Sequence, residues 1–189
     1  MIGFAIFETA LGACGIAWRR DAIVGTALPD SDGDLVRSRL RRRLPESEER
    51  GAPEPIRQVI TDVIRLLGGQ KIDLSAVRLA LEDAAPFEQQ VFAQTLAIPP
   101  GETRTYGEVA QAIGQPGAAR AVGRALGRNP VPIIVPCHRV LAVDGRSGGF
   151  SAPGGVATKM RLLQIEQARR GGQPGLFDHV EWQTSPARP

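Results

Sequence analysis

This chain has little of what builds covalent or metal frameworks. Its 189 residues include two cysteines, Cys14 and Cys137, and two histidines, His138 and His179. Two thiols so far apart do not make a disulfide framework, and a reducing, cytoplasmic setting is expected. No histidine precedes His138 and Cys14 is the lone cysteine before Cys137. A Cys/His zinc site is therefore not available in the N-terminal half. No apolar run approaches the roughly 18 residues of a membrane span. Met1 to Ala10 carries Glu8 and no basic cluster, so it does not read as a signal peptide.

Net charge is small, +3, but unevenly placed. Residues 1–85 hold 12 Lys+Arg against 13 Asp+Glu, whereas residues 86–170 hold 10 against 5. The positive half suits a polyanion such as DNA, although an arginine-rich solvated surface has the same composition.

Phe4-Ala5-Ile6-Phe7, Gly15-Ile16-Ala17-Trp18 and Ala22-Ile23-Val24-Gly25 are separated by turn residues and read as a small antiparallel meander. Asp30, Ser31 or Asp32 caps a helix running through Leu44. The Arg41-Arg42-Arg43 run at its end adjoins acidic residues and reads as a solvated helix end. Pro45 to Pro55 is a polar linker. Ile56, Val59, Ile60, Val63, Ile64 and Leu67 recur at helical spacing up to Gly68-Gly69, and residues 72–81 are expected to return as a strand. The chain thus divides into an α/β unit over 1–85, a second unit over 86–170, and a Gly/Pro-rich tail over 171–189.

In the second unit, Phe87 to Leu96 forms a helix stopped by Pro99-Pro100-Gly101. Thr105 and Glu108 make a capping box for a helix from Tyr106 to Ile113. A Gly-containing turn leads to a second helix, Ala118 to Leu126, in the manner of a helix-turn-helix. That second helix has little bulk at Ala118, Ala119 and Gly123, with Arg120 and Arg124 projecting. Few of its side chains could read major-groove edges. Small residues around one long cation suit a narrow groove and the filling of a vacated base stack.

Asn129-Pro130-Val131-Pro132-Ile133-Ile134-Val135-Pro136-Cys137-His138-Arg139-Val140 carries the chemistry. A thiolate is the nucleophile, and neighbouring basic groups such as His138 and Arg139 favour it. Prolines stiffen the approach to Cys137. Buried free cysteines are also common core residues. An isolated Cys-His pair would not decide between the two.

The motifs Tyr106-Gly107-Glu108-Val109-Ala110, Ala119-Arg120-Ala121-Val122-Gly123 and Pro136-Cys137-His138-Arg139-Val140 decide it together. With the upstream Asn129-Pro130, Gly154-Gly155, Lys159 and Glu166, the chain resembles the methylated-DNA–protein-cysteine methyltransferases, closely over about 86–168. The resemblance implies an α/β N-terminal domain with a small antiparallel sheet, ribonuclease H-like. It also implies a mainly α C-terminal domain with a winged helix-turn-helix-like motif. The implied function is single-use repair, in which an alkyl group on guanine oxygen 6 moves to Cys137 after base flipping in the minor groove. His138 acts as base through a water and Glu166 orients it. Asn129 braces the turn, Tyr106 crowds the phosphate and donates a proton to the guanine, and Arg120 fills the stack. Ala118, Ala119, Gly123 and Arg124 join the DNA-binding surface. Pro132, Val140, Phe150, Ser151, Gly154 and Lys159 form the pocket. No cofactor or metal is called for.

In the tail, Gln173-Pro174-Gly175-Leu176-Phe177 resembles peptides that dock on the DNA sliding clamp. The alternative is that Leu176, Phe177 and Trp182 fold back on this protein's own surface. Competing functions are a lesion-binding protein without transfer, which Cys137 argues against, and a thiol hydrolase, which leaves the basic half unexplained.

Overall fold

A computed structural model describes residues 1–30, 32–143 and 154–168. The expected meander is present as β1 (Ile2–Thr9), β2 (Gly12–Arg19) and β3 (Ala22–Asp30), paired antiparallel. β2 is central and covered on both faces. Ala13, Ala17 and Phe4 meet Val36 and Leu40 of α1 (Gly33–Arg43), while Cys14, Ile16 and Trp18 face the larger core. Gly15 permits the close approach of α1: a Cβ there would lie 2.6 Å from Leu40 Cδ1. Asp32 is the residue that caps α1, accepting from the Asp34 N–H at 2.8 Å.

The sheet is mixed, not purely antiparallel. After α1 crosses its face, β4 (Ser47–Glu49) pairs parallel to β1, giving the order β3-β2-β1-β4. The stretch read as a linker therefore contains an edge strand. Its Ser-Glu-Glu sequence hides it, because an edge strand is held by backbone pairing and tolerates charge. Residues 72–81 do not form the expected strand. They touch β3 at one bridge, Ile23 with Leu79, through bonds from Ile23 N to Arg78 O and from Ala80 N to Ile23 O. Further along the same edge, Thr26 N donates instead to Pro130 O, so the position a longer strand would use is taken.

α2 (Glu54–Leu67) buries Ile56, Val63, Leu66 and Leu67. α3 (Pro86–Leu96) buries Val91 and Phe92. α4 (Tyr106–Ala112) starts with the expected capping box: Glu108 N donates to Thr105 Oγ1 at 3.1 Å and Thr105 N to Glu108 Oε2 at 2.5 Å. Gly114 and Gly117, both at positive φ, shape the turn to α5 (Ala119–Gly127). β5 (Arg104–Thr105) pairs parallel with β6 (Val140–Leu141). The last described helix, α6, spans Gly155–Ile165. Gly154 (φ 76°) starts it and Gln167 (φ 50°) turns the chain out of it, so Glu166 closes the helix. One apolar cluster runs from Ile16 and Trp18 through Val91 and Phe92 to Val135 and Cys137, joining both halves.

Candidate active site

Cys137 opens a short 3-10 turn, Cys137–Arg139, which caps a wholly buried approach from Val131 to Pro136. The approach is held from within. Asn129 Nδ2 donates to Val135 O (2.8 Å) and Asn129 Oδ1 accepts from Val131 N (3.0 Å), so one side chain spans the loop. Cys137 N donates to Val135 O at 2.8 Å. Ile133 sits at φ 76°, a region that costs a β-branched residue on the order of 1–3 kcal/mol and persists only where surrounding contacts impose it. Asn129 bonds to Val131 and Val135, the residues two positions on either side of Ile133.

The thiol is 8% exposed. Burial raises its pKa. The Asn129 side chain, the Lys159 ammonium and the backbone N–H groups of Cys137 and His138 act the other way. Cys14 differs: burial pushes it up to about 12, the Thr9 hydroxyl relieves it slightly, and Glu8 repels its thiolate. Of the two cysteines, Cys137 is the one whose thiolate a described cation favours, as a candidate nucleophile requires. At neutral pH it rests as a thiol, and only a base that takes its proton would make it a nucleophile.

His138 is that candidate base. It is 1% exposed, and Nε2 lies 2.9 Å from Glu166 Oε1. Nδ1 is buried with no partner among the described residues. With Nε2–H donating to the carboxylate, Nδ1 carries the lone pair that can accept a proton. Burial holds His138 below its ordinary value despite Glu166, so the ring is neutral.

Arg139 takes a role its sequence position did not reveal. Read as a basic neighbour of the thiol within the positive half of the chain, it is 4% exposed and turned inward. Its Nε and Nη2 grip the two Glu166 oxygens at 2.8 Å each, and Nη1 donates to Ile98 O at 2.5 Å. Burial would push Glu166 up, but His138 and Arg139 together outweigh it and hold Glu166 at about 2. The permanently charged guanidinium keeps the carboxylate ionised while His138 stays neutral. The signal available in the sequence was an arginine closing the Cys137-His138 pair that follows an apolar run.

Lys159 is also interior, 0% exposed, with Nζ donating to Val140 O at 2.6 Å and lying 5.7 Å from the Tyr106 ring centre. Burial lowers its pKa to about 8, and Cys137 opposes that shift. Val140 N donates to Cys137 O. The Tyr106 phenol is raised, by burial first and then by Cys137, so it stays protonated. Tyr106 lies over Gly123, where a Cβ would stand 3.7 Å from its ring.

Cys137, His138, Glu166, Asn129, Tyr106 and Lys159 are thus brought together, with buried Pro132 in the approach. Arg120 and Arg124 are exposed on α5, beside half-buried Ala118 and Ala119. Arg128 is committed to Glu88 at 2.6 Å. Gly154 is exposed at the head of α6. Phe150 and Ser151, and Gln173, Leu176 and Phe177, lie outside the described residues.

The arrangement defines a class: an α/β protein that buries one thiol beside a histidine–glutamate–arginine cluster and a lysine, next to two helices joined by a glycine turn. Residues 86–168 match the 6-O-methylguanine DNA methyltransferase DNA-binding domain. The methylated-DNA–protein-cysteine methyltransferase of Mycobacterium tuberculosis is 52% identical over 92 residues, 49% of this chain and 54% of that protein. The match therefore spans about half the length of that relative. The Methanothermobacter thermautotrophicus protein of the same name is 35% identical over 127 residues, 67% of this chain and 70% of its own length. The crystal structure of M. tuberculosis OGT in complex with DNA superposes with TM-score 0.69 at 32% identity, covering 87% of this chain and 92% of that one. The chain belongs to the methylated-DNA–protein-cysteine methyltransferase family.

Proposed function

We propose that this protein repairs DNA by moving an alkyl group from guanine oxygen 6 to Cys137, once per molecule. The observation that carries the reading is the thiol itself. It is buried, its thiolate is favoured by the Lys159 charge, and it adjoins a neutral histidine held by an ionised Glu166. The guanine leaves the duplex stack to reach it, and Arg120 takes the vacated space. His138 takes the thiol proton through a water. The sulfur attacks the alkyl carbon in line, an S–C bond forms, and the C–O bond breaks with its electron pair passing to guanine. Tyr106 supplies the proton the guanine needs, leaving restored guanine and a thioether. A thioether has no easy leaving route, so the reaction stops after one event.

Finer features belong to the same reading. The N-terminal part (1–85) is a ribonuclease H-like support, and 86–170 carries a winged helix-turn-helix-like element that enters the minor groove. Ala118, Ala119, Arg120, Gly123 and Arg124 face DNA. Pro132, Val140, Gly154 and Lys159, with Phe150 and Ser151, bound the pocket. The protein works in the cytoplasm, and Gln173, Leu176 and Phe177 of the 171–189 tail dock on a sliding clamp, which a tail-peptide titration of the clamp would test. Among the described residues no helix is long and apolar enough to cross a membrane.

Mass spectrometry after incubation with methylguanine-containing duplex tests the central claim. One added methyl group on the Cys137 peptide is expected. An unmodified peptide with bound DNA would mean recognition without transfer, and repeated turnover would mean hydrolysis.

A further inference from the structure

We infer that the outer edge of β3 and the C-terminal end of α1 form a brace for the loop that carries the nucleophile, with Thr26 and Arg43 as positioning residues for alkyl transfer. The inference rests on transfer through Cys137 as proposed above.

The brace arises from a missing donor. β3 is an edge strand, and Thr26 turns its N–H and C=O away from the sheet toward residues 130–132. Thr26 N donates to Pro130 O at 3.0 Å, and Thr26 Oγ1 donates to Pro132 O at 2.6 Å, buried. An ordinary neighbouring strand would return an N–H to the Thr26 carbonyl. Here proline 132 has none, and the N–H of Val131 is already given to Asn129 Oδ1. Arg43 fills the gap. Its Nη1 donates to Thr26 O at 3.1 Å and its Nη2 to Pro130 O at 2.8 Å. One guanidinium thus closes the bonding that the prolines leave open. Arg43 was read as part of a solvated arginine run. Its neighbour Arg41 instead lies over the Phe4 ring at 5.6 Å, so the run is not one functional unit.

The braced carbonyls stand at the head of the strained segment. Pro130 and Pro132 flank Val131, whose carbonyl accepts from Val135 N at 2.9 Å, and Val135 O in turn accepts from Cys137 N. Ile133, at φ 76°, lies between. Asn129 fixes this loop from inside, and Thr26 with Arg43 fixes it from the N-terminal sheet. Releasing the outer fixation lets Ile133 relax and moves the cysteine, while the exposed DNA-facing side chains of α5 stay as they are.

Thr26→Val removes the hydroxyl donor with little change of shape, Thr26→Ser keeps it, and Arg43→Gln withdraws the guanidinium from a surface position. Single-turnover transfer from methylguanine duplex separates rate in the bound complex from DNA affinity. Thr26→Val and Arg43→Gln are expected to slow bound-state transfer by about ten- to a hundredfold, the scale at which small misplacements of reacting groups act. DNA affinity is expected to be unchanged and Thr26→Ser close to wild type. Wild-type transfer rates in Thr26→Val and Arg43→Gln, or equal defects in Thr26→Ser and Thr26→Val, would overturn the brace. Should Thr26→Val not fold, Arg43→Gln decides. Should the wild type transfer no methyl group, the functional reading fails. The brace is then judged by iodoacetamide alkylation of Cys137 without DNA. Faster labelling in the loosened variants supports it, and equal labelling overturns it.

Discussion

Replacing Glu166 by glutamine tests the cluster behind the thiol. The carboxylate is 6% exposed, takes two bonds from Arg139 and faces His138 Nε2 at 2.9 Å. Glutamine keeps the shape, but its NH2 must point at an Arg139 donor or at the His138 N–H. Removing one partner of a buried ion pair costs about 3–5 kcal/mol, and the remaining amide oxygen places this case near 3. Titration gives a similar figure. Glu166 at about 2 against an ordinary 4.5 amounts to about 3 kcal/mol. A group held low stabilises the fold above its unfolded value, so this contribution is complete above pH 4.5 and lost as pH falls toward 2. His138, held below its ordinary 6.5 by burial, adds a separate loss that begins as pH falls through 6.5. Wild type should therefore lose stability in two acid steps and Glu166→Gln only in the upper one. At neutral pH a protein of this length should melt about 6–12 °C lower in the variant. Transfer should slow by about a hundredfold or more, the usual contribution of a positioned base. Thermal melts across pH, beside single-turnover transfer of labelled methyl, measure both. A variant that melts with wild type and transfers at its rate would refute the account of His138, Arg139 and Glu166 as one unit.

Cys137→Ser should abolish transfer and retain binding to methylguanine duplex in a gel shift. Methyl transfer to Cys14, whose thiol is pushed up to about 12, would contradict the nucleophile assignment. Arg120→Ala should reduce extrusion of a fluorescent base analogue more than it reduces overall DNA affinity. Arg124→Ala should mainly lower affinity and flatten its salt dependence, by a slope of roughly 0.9 per lost phosphate contact. Lys159→Met removes a buried cation that favours the Cys137 thiolate. The pH profile of Cys137 alkylation by iodoacetamide should move to higher pH, and an unmoved profile would mean that Lys159 serves only Val140.

The elements that local sequence controls were legible. The β1–β3 meander, a cap for α1 among Asp30, Ser31 and Asp32, the Thr105–Glu108 capping box and α2 each depend on neighbours a few residues apart. β4 was hidden because an edge strand of Ser-Glu-Glu has no apolar pattern, and its partner residues in β1 lie 45 positions away in the chain, Ile2 opposite Ser47. The strand expected over 72–81 failed for the converse reason. Its residues suit a strand, but the β3 edge is shared with Pro130.

The sequence by itself determined which groups could do chemistry. A cysteine beside a histidine after a proline-stiffened run, an aspartate-capped or threonine-capped helix, and a helix of small residues around an arginine are properties of residue type and spacing. Tertiary structure decided which way the charges point. Residue type alone does not say which way Arg139 and Lys159 point, and packing turns both inward, one to hold Glu166 and one to hold Val140 O. Arg43 and Thr26 lie over eighty residues from the loop they fix. Long-range hydrogen bonds leave no periodicity, because they depend on where an unpaired carbonyl comes to rest once the core has closed.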